Sequence, residues 1–537
     1  MTKDKFEKLT EINRRRLMKG IAGVSAASMA GCIDQFGGSE GGTLNFAQEK
    51  SPIEFDPVVL NDVPSAEICQ YVYHGLYEYD DTTGHVPALA TDMPEVNDAQ
   101  DEYVVEIDGD AEFHNGEPVT AEDVKHSFMA PLEEETDNAN EVSMINSIDV
   151  VDEQTVQFNL EYAYAPFTYT LHRNIVPKAA RTDDKEAFNT ENPIGSGPFE
   201  FVDWTEGEFV EIERWDDYWG DTQPNLQTVE FTPVEEGTTR ITTLQNGDND
   251  VIKGIPPDLW SEVEGMDDAS IQQVAGVGYF YLAFNCNDGP TTDPTVRQAI
   301  DHVFDMDQAV SNFVEPTGVR QYSPYPQVLI DEWDFPIDEW KSHHNEKDID
   351  KAKQLFDEAG VSMDYDWRII VPPDDKREQI GVTVSNGLQE AGFSNTEVQR
   401  LDWGAFLSQY ITGNADDYNM YTLGWSGVPD PDSFAYFLLS RAEDTLAITN
   451  GTYWGENSDK GVQASEKFIE ARSSDDFDER RQLYIEGTNL VMEGKPHIPA
   501  YSLKNSFGVR SNVSDFAAHP TDQFHLVSDH NNVSLDE

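Results

Sequence analysis

Carboxylate side chains outnumber Lys and Arg by 102 to 35, and the excess runs along the whole chain rather than collecting in one tail. A chain with a formal charge of −67 can close a core only by leaving nearly all of those carboxylates in water, where salt screens them. The screening length falls from about 10 Å at 0.1 M salt to about 3 Å at 1 M. The composition therefore suits a protein that folds in brine. It also excludes nucleic acid as a partner, because phosphate binding draws on clustered Lys and Arg, and beyond the N-terminus the sequence has no such cluster.

Core-forming residues are ample despite the charge. Ten Trp, 28 Phe and 21 Tyr fill interiors that a disordered chain of comparable charge lacks. At 537 residues the chain exceeds the size at which one core stops growing, so two or three lobes are expected. Only Cys32, Cys69 and Cys286 are present, too few for a disulfide scaffold and without the paired spacing of a zinc site. Cys69 and Cys286 read as buried thiols, and spacing alone leaves a disulfide between them open.

The N-terminus reads as an export segment. Asn13-Arg14-Arg15-Arg16-Leu17-Met18-Lys19 precedes a mildly apolar stretch from Gly20 to Ala30, which has the length of a signal core and is too short to span a bilayer as a helix. Arg14 and Arg15 ahead of an apolar pair and Lys19 resemble a twin-arginine signal, a route that carries folded proteins. Met29-Ala30-Gly31-Cys32 resembles a lipobox, which implies a signal over 1–31 and lipid attachment at Cys32. Residues 32–42 include a Gly-rich run from Gly37 to Gly42 and read as a flexible tether holding the body off the extracellular face of the membrane.

Beyond residue 42 the pattern is α/β with no internal repeat. Thr43 to Ala47, Tyr103 to Ile107 and Thr155 to Leu160 alternate as strands do, and Ser65 to Tyr77 has a helical rhythm. Thr295 to Phe313, with Pro294 ahead of it and Val296, Ala299, Ile300, Val303, Phe304 and Ala309 on one face, predicts one long helix. Asp348 to Ala359 predicts another, stopped by Gly360. In Glu112-Phe113-His114-Asn115-Gly116-Glu117-Pro118-Val119-Thr120-Ala121-Glu122-Asp123-Val124-Lys125, Asn-Gly gives a tight turn and Thr120 with two acids opens a helix.

That stretch, with Pro87-Ala88-Leu89-Ala90, Gly195-Ser196-Gly197-Pro198-Phe199, Tyr281-Leu282-Ala283-Phe284-Asn285, Val296-Arg297-Gln298-Ala299-Ile300 and Gly424-Trp425-Ser426-Gly427-Val428-Pro429-Asp430-Pro431-Asp432-Ser433-Phe434, resembles the family 5 extracellular solute-binding proteins. These include the dipeptide- and oligopeptide-binding components of ABC importers. The resemblance implies a periplasmic-binding-protein-like fold with a hinge, a ligand cleft and an extra domain inserted in the first lobe. Lobe I would take 43–76, 193–283 and 497–537, the insert 77–192, and the second gripping lobe 284–496. With the acidity, it implies a haloarchaeal, lipid-anchored monomer that passes a small solute, foremost a peptide, to a membrane permease, with no cofactor.

An enclosed peptide site needs aromatic walls and opposite charges for the ligand's ends. By the resemblance, Asp430 holds the position that meets the ligand's ammonium group, and Asp432 stands close enough to exchange roles with it. The bland reading of Asp430 is a turn cap before Pro431. Trp425 is the candidate wall residue, its alternative being core packing. Arg320 is a candidate carboxylate clamp, in a chain where most Arg pair with surface acids, and Asn285 lies near a crossing between lobes. Sugar and nickel remain alternative ligands on the same scaffold. His343-His344 and His519, His525 and His530 read as solvated surface rather than a metal site. A secreted hydrolase is the alternative of another class, but the sequence contains no nucleophile elbow, phosphate loop or His-Glu-x-x-His to support it.

Overall fold

The computed structural model describes residues 41–440, 450–474, 476–523, 525–528 and 530–536. Arg14, Arg15, Cys32 and the tether as far as residue 40 lie outside the described residues. Strand β1 (Thr43–Gln48) opens the body and is flanked on both sides by parallel neighbours, which is why its apolar residues on both faces are covered.

The chain then leaves that sheet. Strands β2 (Tyr77–Tyr79) and β3 (His85–Pro87) form a hairpin. Strands β4 (Glu95–Val96), β5 (Glu102–Glu106), β6 (Ile145–Val150) and β7 (Thr155–Leu160) form a four-stranded antiparallel sheet in the order β4-β5-β7-β6. The helix Ala121–Glu133 covers it, and at its start Asp123 accepts from both the N–H and the hydroxyl of Thr120. Val105, Phe128, Val156, Phe158 and Phe167 centre a core belonging to this segment.

Strands β8 (Phe199–Thr205), β9 (Phe209–Arg214), β10 (Thr228–Pro233) and β11 (Val251–Lys253) return to β1 and complete the first sheet around a second core that includes Phe46, Tyr71, Phe199, Phe231 and Phe507. Strand β12 (Ala269–Ala275) then leads into β13 (Gly278–Phe284). The largest core follows, with β14 (Gly318–Arg320), β15 (Trp367–Val371), β16 (Thr396–Arg400), β17 (Met420–Ser426) and their helices.

Strand β18 (His497–Arg510) joins the two halves. Its first residues pair with β13 and β14 in the large core, and its last pair with β11 and β12 in the first sheet. The chain thus crosses between lobes twice, at Gly276-Val277 and along Ser502 to Ser506. The crossings fall inside the ranges expected for lobe I, because β13 pairs with β17 over its whole length and so carries Tyr279 to Phe284 into the second core. The long helix expected from Thr295 is two helices, Pro294–Asp301 and Met306–Phe313, the second capped by Asp305. Periodicity bridged the break because both helices bury the same face. Cys69 and Cys286 are free, buried thiols, and burial pushes both up.

Among the described residues six carboxylates are buried, Asp56, Glu67, Asp250, Asp301, Asp430 and Asp432. Five face cations: Asp56 faces Arg181, Glu67 faces Lys253, Asp301 faces Lys495, Asp430 faces Arg480 and Asp432 faces Arg472. Asp250 accepts from Asn45 and Asn512. The remaining acids share the surface, so the melting temperature should rise as salt increases from about 0.1 M to about 1 M and beyond. Scanning calorimetry across that range measures it, and a flat curve would remove the halophilic reading.

Candidate functional site

Strand β17 ends at Ser426, and the loop Gly427–Pro429 delivers Asp430 to the start of the helix Pro431–Leu439. Pro431 at the first helical position and Asp430 before it form a cap, with the Asp430 carboxylate accepting from the Asp432 N–H at 2.8 Å. Both oxygens of Asp430 also receive Arg480 Nη2, at 2.9 and 3.0 Å. Asp432 is 1% exposed and has Arg472 nitrogens at 3.4 Å and Tyr484 Oη at 3.5 Å. Burial pushes its carboxyl up to about 6, against the opposing pull of Arg472. Among the described residues each carboxylate is therefore paired with an arginine.

Facing this loop from the first half are the β2–β3 hairpin and the helix Phe167–Thr170. Tyr169 Oη donates to the Pro429 carbonyl at 2.9 Å. His85 Nδ1 and His172 Nε2 lie 2.7 Å apart, which requires one ring to donate and the other to accept. The His85 ring packs 4.2 Å from Tyr169, and His172 packs 4.3 Å from Tyr79. Burial lowers His85 to about 4 and holds His172 well below its usual value, so both are neutral at pH 7. Thr83 and Glu332 hydrogen-bond across the same gap.

Trp425, half-buried, donates to Ser433 Oγ at 3.3 Å and stacks near Phe437. One residue earlier in β17, Gly424 opposes Phe280 of β13. A Cβ at Gly424 would meet the Phe280 ring at 2.2 Å, so only glycine lets that ring lie across the strand. Phe280 stacks on Tyr501 at 4.6 Å, with the Arg377 guanidinium 5.7 Å above it.

The fold thus brings Trp425, Asp430 and Asp432 together, and it does not bring Arg320 or Asn285 to them. Arg320 binds Asp307 at 2.7 Å, lies over Tyr322 and donates to the Pro499 and Ala500 carbonyls. Asn285 is fully buried, donating to Tyr418 O and accepting from the amides of Asn287 and Asp288, so it shapes its own turn. Sequence reasoning missed His85, His172, Tyr169, Phe280, Arg377 and both arginine partners. Phe280 lies in the consecutive aromatics Tyr279-Phe280-Tyr281, but nothing local marks the rest.

Other features lie apart from this loop. A cavity of about 440 Å³ lies in the first half, between His74, Glu78, Asp108, Tyr218, Trp219 and Ser528. Among the described residues Asp305, Asp307 and His344 are close enough to share a cation, but Arg320 already occupies Asp307 and approaches His344. His519 is tied to the Asp80 carbonyl, and His525 packs on Phe507 and Phe516; both are buried, contrary to the solvated placement expected for them.

A model of the bacterial extracellular solute-binding proteins, family 5 Middle, matches residues 84–445. The chain belongs to that family. The oligopeptide-binding protein AppA of Bacillus subtilis is 26% identical over 507 residues, covering 90% of each chain. Among solved structures, HbpA2 of Haemophilus parasuis superposes with a TM-score of 0.79 at 21% identity, covering 92% of this chain and 100% of that one. The DppA binding protein of Helicobacter pylori, in complex with the peptide STSA, superposes with a TM-score of 0.74 at 23% identity, covering 93% and 98%. This family 5 protein therefore shares their two-lobed fold; β18 and the Gly276-Val277 link between β12 and β13 pass between its lobes. Among its described residues no helix is long and apolar enough to cross a membrane.

Proposed function

We propose that this protein is the extracellular receptor of an ABC importer, that it closes on a di- or oligopeptide between its lobes, and that a lipid on Cys32 holds it to the cell after twin-arginine export. The observation that carries the reading is the coincidence of family membership over most of the chain with two lobes joined by the continuous strand β18 and the Gly276-Val277 link. The similar proteins include an oligopeptide-binding protein and a binding protein solved with a bound peptide. A binding role fits a site with paired charges and neutral imidazoles, which offers no activated nucleophile.

Recognition of the peptide's ends differs from the simplest expectation. Asp430 is matched by the half-buried Arg480 and Asp432 by the buried Arg472, so this loop presents a neutral polar surface, and an ammonium at Asp430 would compete with Arg480. The reading offered is that Trp425 and the Tyr79, His85, Tyr169 and His172 group supply the wall, and the ligand's backbone groups pair with polar atoms along the cleft.

Full-length protein and its Cys32→Ser variant, expressed in a salt-loving host, test this. The variant should leave the membrane fraction, and calorimetry in high salt should show peptide binding by both. Trp425→Ala should weaken binding roughly thirtyfold, the effect of a buried aromatic anchor of about 2 kcal/mol. N-terminal acetylation of the peptide should change affinity less than about threefold. An acetylation loss above about tenfold would return the amine to Asp430, since a charge-assisted hydrogen bond is worth about 1.5–3 kcal/mol. Failure of every peptide tried, with native mass spectrometry revealing a sugar or metal chelate instead, would replace the ligand class.

A further inference from the structure

Arg472 sits at the end of the helix Asp459–Arg472 in the second lobe, yet the groups around its guanidinium come from both sides of the gap. The Tyr436 ring of its own lobe is 3.6 Å from its Cζ, and Tyr164 and Tyr162 of the loop after β7 are at 4.8 and 5.6 Å. Asp432 supplies the countercharge beneath. The backbone takes part as well, because the Ala165 N–H donates to the Arg472 carbonyl at 2.9 Å. Arg472 and Tyr164 are buried, whereas Tyr162 is 45% exposed.

The loop 162–165 belongs to the segment that packs around β4 to β7, and the hinge strands lie elsewhere in the fold. Parting the lobes at this point takes two of the three rings, Tyr162 and Tyr164, away from the guanidinium and breaks a backbone hydrogen bond at the same time. A guanidinium interacts with ring faces most strongly when water is excluded, and the planar group stacks where an ammonium cannot. Asp430, Arg480 and Tyr484 surround Asp432 from the lobe side, so the carboxylate stays fixed and the cage residues are the part that can let go.

We propose that Arg472 is a closure latch: seated between Tyr162, Tyr164 and Tyr436, it sets how long the lobes stay shut and hence how long a captured ligand is retained. The effect on retention rests on the binding-protein reading, but the latch itself does not, so a ligand-free measurement separates the two. Hydrogen exchange of the Ala165 amide in the full chain, in high salt, reports opening directly, with the Leu282 amide of β13 as an interior control.

Arg472→Lys keeps the charge for Asp432 and loses the stacking, and should speed Ala165 exchange by about tenfold or more, with Leu282 unchanged. Tyr162→Ser touches a half-exposed ring and neither core, and should speed Ala165 exchange by a few fold in the same selective way. For any peptide that binds, the dissociation rate should rise in the same order. Unchanged Ala165 exchange in both variants overturns the proposal. So does an equal rise at Leu282, which would mean the variants loosen the lobe rather than open the gap.

Discussion

Replacing Arg480 with Met is expected to cost the second lobe about 3–5 kcal/mol, the usual consequence of leaving one member of a buried ion pair alone. Asp430 is 1% exposed, and in the variant, among the described residues, it would keep the Asp432 N–H as its donor. Asp432 would lose a stabilising charge as well, since Arg480 helps to offset the burial that raises its carboxyl. The double variant Asp430→Asn, Arg480→Met removes both charges and retains an Asn cap, which serves a helix start as well as Asp does, so it should recover most of the loss. Calorimetric unfolding of the four proteins of the cycle, in high salt, measures the coupling. A single-variant loss below about 1 kcal/mol would mean that water already reaches the pair, and Asp430 would again be open to a ligand amine.

Acid should destabilise the protein from about pH 6.5 downward, and His497 is the side chain to test first. It is 4% exposed, stacks on Tyr281 at 4.0 Å, and burial lowers it to about 3. A depressed imidazole contributes stability above its unfolded value near 6.5, and that contribution is lost as pH falls toward the folded value. Between pH 7 and pH 5 the loss is about 2 kcal/mol for one such group. Asp432 acts in the opposite direction: with a folded value of about 6, raised above the ordinary 3.8, it gains stability on protonation over the same range, by about 1 kcal/mol. His85, His114 and His126, each lowered to about 4 mainly by burial, add to the loss. His497→Phe keeps a flat ring against Tyr281 and has no proton to gain, so its denaturation midpoint should fall less between pH 7 and pH 5. An identical fall in both proteins would show that His497 is solvated.

The fold was legible where the information is local or strictly ordered. Alternation marked β1, β5 and β7, the turn and helix start at Asn115 to Asp123 formed as their residues dictate, and six short motifs in one order pointed to the family. The break at His302 to Asp305 was not legible, because a hydrophobic face continues through it and periodicity cannot see a cap inside an unbroken stripe. The position of the lobe crossing was not legible either, since it depends on which strand β13 chooses as partner.

The sequence by itself determined the chemistry of the surface and the family's architecture: a charge of −67 obliges carboxylates to face water, and that needs no knowledge of who neighbours whom. It also placed Trp425, Asp430 and Asp432 on one short segment. Only the tertiary structure decided what those residues are free to do. Arg472 and Arg480 lie 40 and 50 positions from the acids they neutralise, and His85 lies 87 positions from His172. Pairings at that separation are set by how helices and loops pack around two cores. A carboxylate that reads as an open receptor along the chain therefore becomes, in the folded protein, half of a buried pair.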